Sequence, residues 1–324
     1  MLVSVGISSD VSGAVNEPLR DRDGRANRTG RARAVEAVVR TVIAGSGWIA
    51  IVILTAIAAF LAVNAWPALS SPAAGGWRML TGSLWYPTAS PPEFGFLPYI
   101  VSTLRVTGVA LAIAVPVGIA AAVFISEFAG RRFQEFSKSV IEFMAAVPSV
   151  VYGLVGVYVV GPAIKDAFHL TSALTALSAG VVLSFMALPT IISISEDALH
   201  AVPNDLRMGS LALGNTRWQT AYKVIVPAAG SGIFASVMLG MGRAIGETMV
   251  VLMVAGGTMD LTWSLTASAR PLTAVIASEM GEVVQGGLHY SALFVIGLTL
   301  FVITFAANLA ADLVLERQRK RWRR

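Results

Sequence analysis

Six long apolar runs constrain this chain more than any other feature. They fall at about residues 44–68, 97–124, 141–164, 174–194, 230–255 and 291–314, with polar segments between them. Crossing a hydrocarbon core of about 30 Å takes about twenty apolar helical residues, each adding about 1.5 Å. Inside such a core every backbone N–H and C=O needs an internal partner, and a helix supplies one. The runs therefore predict an all-α, polytopic membrane protein with six transmembrane helices. Charge content agrees: 13% of the chain is Asp, Glu, Lys or Arg, against about 25% in soluble domains. Trp48 and Trp66 bracket the first run as interfacial anchors do.

Orientation follows from the 24 Lys and Arg residues. With the N-terminus inside, nineteen of them lie in inside segments. Three (Arg78, Lys165 and Arg270) lie outside, and Arg105 and Arg243 sit within runs. Inside loops are enriched in Lys and Arg. Both termini and segment 196–227 are thus expected in the cytoplasm of a plasma-membrane protein in contact with lipid. Residues 1–43 carry Arg20, Arg22, Arg25, Arg28, Arg31, Arg33 and Arg40 and read as a flexible, Arg-rich cytoplasmic tail ahead of a transmembrane domain at 44–324. The net charge of +5 is accounted for by this topology, so no nucleic-acid partner is expected.

The composition also excludes several chemistries. There is no cysteine, so neither a disulfide framework nor a thiolate metal site can form. His169, His200 and His289 are far apart and lack metal-ligand spacing. No G-x-x-x-x-G-K-[ST] pattern is present, and no Ser/His/Asp grouping suggests a catalytic site. A non-enzymatic chain without a cofactor is expected.

The polar stretch from Glu196 to Pro227, EDALHAVPNDLRMGSLALGNTRWQTAYKVIVP, organises the remainder. Leu206–Leu213 suits a short helix, Gly214 a left-handed terminator, and Trp218–Val226 a second helix. Gly214 is followed by Val224 and Pro227 at offsets that resemble the cytoplasmic loop of ABC importer permeases. That pattern is EAA, three residues, Gly, nine residues, Ile, one residue, Leu-Pro. Here Met208 stands for its Glu, and Gly209-Ser210 for its Ala-Ala. The resemblance implies a loop that fits a groove on a cytoplasmic ATPase. Leu206, Ser210, Leu213, Gly214, Trp218 and Pro227 are the coupling candidates. The alternative is an ordinary amphipathic loop.

Four further segments narrow the resemblance: WYPTASPPEFGFLPYIVSTLRVTGVALAIAVPVGIAAAVFISEFAG, IEFMAAVPSVVYGLVG, SLALGNTRWQTAYKVIVPAA and GRAIGETMVVLMVAGG. In this order, over roughly Trp85–Asn308, they resemble the PstC family of phosphate ABC transporter permeases. The resemblance implies a type I importer fold and ATP-driven phosphate import. It also implies a second permease (PstA-like), an ATPase dimer (PstB-like) and an extracytoplasmic phosphate-binding protein (PstS-like). A permease for another oxyanion, such as sulfate or molybdate, is the first rival. A membrane signalling or scaffold subunit is the second.

Charges within runs are costly and mark functional candidates. Arg243 and Glu247 fall at i and i+4, hence on one face of a continuous helix. An arginine fork matches phosphate oxygens, and a carboxylate nearby would weaken the grip. They are read either as substrate-pathway residues or as a structural ion pair. Gly240, Gly242 and Gly246 permit close helix approach or a passage. Arg105 is a second pathway candidate; its alternative is snorkelling to the outer interface. Pro116, Pro148 and Pro189 lie inside runs and kink them, for packing or for movement. Glu127, Glu142, Glu196 and Asp197 are expected solvated or paired with loop arginines. Segment 273–284 reads as a helix with Glu279 and Glu282 exposed.

Overall fold

Amides placed in a hydrocarbon layer must bond internally, and the apolar runs do so as helices. A computed structural model describes residues 22–322, with side chains from Val35 to Leu313 and that of Glu316. The chain divides at Ile57 into two units. The first is the leading part of α1 (Arg22–Ser70). Its side chains from Val35 onward are almost all exposed.

The expected flexible tail is therefore corrected in part. Residues 22–43 are helical, and residues 1–21 lie outside the described region. Arg and Ala are strong helix formers, and extending an existing helix avoids the cost of nucleation.

In the second unit, the end of α1 leads through two short 3₁₀ turns to a two-stranded hairpin, β1 (Trp85–Tyr86) and β2 (Glu93–Phe94). Next come α2 (Leu97–Val123), which runs into a π-helical turn at Phe124–Phe128, and α3 (Arg131–Ala146). α4 (Ser149–Val155), a π turn and α5 (Gly161–Ala167) follow, then α6 (Ala176–His200). The polar stretch forms α7 (Asn204–Ala212), α8 (Arg217–Thr220), a π turn and α9 (Val226–Ala228). The last elements are α10 (Gly230–Gly246), α11 (Met249–Val254), α12 (Leu272–Glu279) and α13 (Leu288–Trp322).

Among the described residues, five helices are long and apolar enough to cross a membrane: Val35–Ser70, Leu97–Phe128, Ser149–Ala167, Ala176–His200 and Leu288–Leu313. Arg217–Ala228 and Gly230–Gly246, bent by 71°, supply a sixth when counted as one span.

The third run differs from its expected bounds. Ile141–Ala146 belongs to α3, and the chain breaks at Val147–Pro148 before α4 begins. Pro148 is thus the N-cap of α4 rather than a kink inside a span; it cannot donate to the preceding turn and biases Val147 to extended backbone. The expected basic loop at Arg131–Lys138 is helical and part of α3.

Ile191, fully buried on α6, sits where α2 and α10 meet α6. A Cβ added at Gly118 of α2 would lie 2.8 Å from its Cγ2, and one at Gly240 of α10 would lie 2.7 Å from its Cγ1. Both glycines allow backbone approach that any side chain would block. Ser195 and Ser236, both fully buried, share a 2.7 Å hydrogen bond across the α6–α10 contact. This packing sets α10 rigidly against α6.

Candidate functional site

The polar stretch folds as its sequence implies. α7 ends at Ala212, and Gly214 turns the chain with φ +85°. Thr216 and Gln219 then close a capping box on α8. Ser210 Oγ bonds Thr220 Oγ1 at 2.9 Å and accepts from Asn215 Nδ2 at 3.1 Å, which fixes α7 against α8.

Of the coupling candidates, Leu213 is 86% exposed at the tip and Trp218 is 61% exposed, so both present apolar surface. Gly214 faces open space. Leu206 and Pro227 line a cleft of about 530 Å³ at the α9–α10 bend. Ser210 is buried, so it braces the turn and is not contact surface.

Arg207 anchors this unit. Its Nη2 lies 2.9 Å from Glu127 Oε1, and its Nη1 and Nη2 donate to the carbonyls of Val202 and Leu199, each at 2.7 Å. Glu127 lies in the π turn that prolongs α2. α7 is therefore tied to the ends of α2 and α6. Glu127 was expected to pair with a loop arginine or be solvated, but the identity of that arginine was not legible. Glu196 is buried, with Lys138 Nζ of α3 at 3.2 Å and His200 Nε2 at 2.8 Å from its Oε1. Glu142 and Asp197 are exposed.

At the opposite end of α10 the helix breaks. It stops at Gly246, and Glu247 adopts extended backbone (φ −69°, ψ 133°) before α11 starts. The expected shared helical face of Arg243 and Glu247 is therefore corrected, and no ion pair joins them among the described residues. Glu247 Oε1 instead accepts from the N–H groups of Met249 at 3.1 Å and Val250 at 3.4 Å. The physical reason is local: Gly246 is a poor helix former, and the unpaired amides that open α11 attract a carboxylate. Gly246-Glu247-Thr248 was the sequence signal for this break.

Arg243 is exposed, and its one hydrogen bond among the described residues is to Thr190 Oγ1 at 3.4 Å. Gly242 and Gly246 meet nothing within 4 Å, so they leave open space beside it, whereas Gly240 serves helix approach. Among the described residues, no ion pair with a carboxylate takes up the Arg243 guanidinium.

Arg105 is placed differently from either expectation. It is buried at 3% exposure, enclosed by protein. Its Nη1 and Nη2 donate to the carbonyls of Ser264 (2.7 Å) and Ser268 (3.0 Å), leaving Nε without a partner among the described residues. It holds the 256–271 loop in place, as Thr103 does by accepting from Leu272 N at 3.0 Å.

Segment 273–284 is also corrected. α12 is largely buried, because it packs into the cluster that includes Tyr99, Leu272 and Leu293. Glu279 is not free at the surface. It binds Arg270 Nη2 at 2.9 Å, His289 Nε2 at 2.8 Å and Trp85 Nε1 at 3.1 Å. Glu282 is exposed, as expected.

Comparison with known proteins agrees with this arrangement. Residues 114–323 match the family described as "Binding-protein-dependent transport system inner membrane component". The chain is 40% identical over 266 residues to "Probable ABC transporter permease protein YqgH" of Bacillus subtilis (strain 168), covering 82% of this chain and 86% of that protein. It is 33% identical over 303 residues to "Phosphate transport system permease protein PstC" of Mesorhizobium japonicum, covering 88% and 91% respectively. Among solved structures, its fold resembles a chain of the MetNI methionine ABC transporter in an inward-facing conformation. That likeness has a TM-score of 0.55 at 17% identity, over 69% of this chain and 95% of the other. The fold is that of type I ABC importer permeases. Such subunits work beside a separate ATPase and a substrate-binding protein. The chain belongs to the binding-protein-dependent transport system inner membrane component family and is a multi-pass permease subunit of an ABC importer.

Proposed function

We propose that this chain carries inorganic phosphate through the plasma membrane as one of two permeases in an ATP-driven importer. Its partners are a PstA-like permease, a PstB-like ATPase dimer and a PstS-like binding protein, and both termini are cytoplasmic. The observation that carries the reading is Arg243. Its guanidinium is exposed beside a helix break, with Thr190 as its one hydrogen-bond partner among the described residues. An anion crossing a low-dielectric path needs a compensating charge, and a planar fork suits tetrahedral oxygens. The relatives named for phosphate transport support the choice of anion.

Coupling runs through the other end of the same helix. ATP-driven movement of the α7–α9 unit reaches α2 through Arg207–Glu127 and α10 through the bend at Ala229. The feet of the spans then move with the docking helices, and access to the Arg243 face alternates. Co-purification of this chain with its ATPase and second permease, followed by uptake in proteoliposomes, tests the reading. Uptake of phosphate in preference to sulfate and molybdate is expected. Uptake of one of those anions instead would replace phosphate as substrate.

A further inference from the structure

A second arginine, beyond the helix break, also has uncommitted donors. Arg270 borders a cavity of about 340 Å³ between α11, α12 and the loop before α12, lined also by Ser278, Leu252, Gly257 and Ala274. A guanidinium has five N–H donors. Arg270 directs its Nη2 to Ser278 Oγ at 2.9 Å and to Glu279 Oε1 at 2.9 Å. The guanidinium also hydrogen-bonds the Tyr99 side chain, and the donors not taken up by Ser278, Glu279 and Tyr99 remain available. The cavity has room for a tetrahedral oxyanion with several waters, each of which occupies about 30 Å³.

The guanidinium is held from behind. It lies over the Tyr99 ring, 5.8 Å from the centroid, and Glu279 is itself fixed by His289 and Trp85. Sharing its charge with Glu279 tempers its pull on an anion. A transit site needs this, because ions must leave it as readily as they enter.

The cavity is also closed off from the Glu247 side. Thr273 Oγ1 donates to the Glu247 carbonyl at 2.8 Å, and the space ringed by Thr103, Thr107, Ala244, Glu247 and Thr273 admits no water. α10, 17 residues and about 25 Å long, separates the bend at Ala229 from the break at Glu247.

We propose that this cavity is a waiting site for a tetrahedral oxyanion, held by Arg270 ahead of a gate formed by Thr273 and Glu247. The assignment rests on the reading of the chain as an oxyanion permease. Arg270 receives the anion when the binding protein releases it, and opening of the Thr273–Glu247 contact passes it toward Arg243.

The chain has no native cysteine, so Ser278→Cys introduces a single reporter. The assembled complex carrying it is treated with an anionic methanethiosulfonate reagent, with inorganic phosphate or chloride at matched ionic strength. Modification of this chain is followed by mass spectrometry. Phosphate should slow modification as 1 + [L]/Kd, about tenfold at ten times the dissociation constant, and chloride should not. The protection should vanish in an Arg270→Gln background. Equal rates in phosphate and chloride, or protection that survives Arg270→Gln, would overturn the site. The outcome is separate from that of the substrate reading, which stands or falls on uptake by the unmodified complex.

Discussion

Arg207 of α7 holds Glu127 at the foot of α2 through a 2.9 Å ion pair while its other donors cap the end of α6. One side chain thus joins α7 to two spans, both of which pack on α10. Removing either member leaves the other half-buried without its partner, at a cost of about 1–3 kcal/mol. Glu127→Gln should therefore lower the melting temperature of the assembled complex and raise ATP hydrolysis per phosphate transported. A double-mutant cycle with Arg207→Gln should give a coupling energy of at least about 0.5 kcal/mol. Additive effects on stability and an unchanged coupling ratio would argue against a strut.

At Gly214 a Cβ would meet no atom within 4 Å, so any penalty there comes from φ +85° alone. A left-handed conformation costs a residue with a side chain about 1–2 kcal/mol, and Asn tolerates it best. Gly214→Val should disorder the turn and uncouple hydrolysis from uptake, with Gly214→Asn close to the parent. Equal behaviour of the two variants in an ATPase-to-uptake ratio would remove Gly214 from the docking segment.

Gly240 and Gly242 lie two residues apart and should respond in opposite ways. Gly240→Ala pushes a methyl into Ile191 and should cost about 1–3 kcal/mol of stability, partly recovered by Ile191→Val. Gly242→Ala meets nothing and should leave the yield of assembled complex unchanged. Thermal unfolding of purified complexes separates the two.

Topology is open to a direct check because the chain lacks cysteine. Asn215→Cys lies in the turn between α7 and α8, and an impermeant thiol reagent should reach it in inverted vesicles but not in sealed cells. Labelling from outside sealed cells would reverse the orientation.

The fold was legible wherever hydrophobicity alone decides it. Apolar runs of span length mark helices, and Gly214 marks a turn from a residue type that tolerates positive φ. What the sequence hid were contacts set by tertiary placement. Arg105 looked like a pathway charge, but whether its guanidinium meets an anion or two loop carbonyls depends on a loop some 160 residues later. The spacing of Arg243 and Glu247 implied one face only while the helix continued, and Gly246 ends it. Glu279 read as exposed because its partners, Trp85, Arg270 and His289, come from three separate segments. Ile141–Ala146 read as part of a span because apolar content alone does not register the break at Pro148.

The central claim is that Arg243 meets the anion during passage. The measurement is phosphate uptake by reconstituted complexes carrying Arg243→Gln or Arg243→Lys, normalised to assembled complex. Among the described residues Arg243 forms no ion pair and its hydrogen bond is to Thr190, so neither change strands a buried charge there, and assembly should match the parent. Lysine keeps the charge and loses the fork, so Arg243→Lys should transport weakly and Arg243→Gln not at all. Uptake by Arg243→Gln near the parent rate, with normal assembly, would contradict the account.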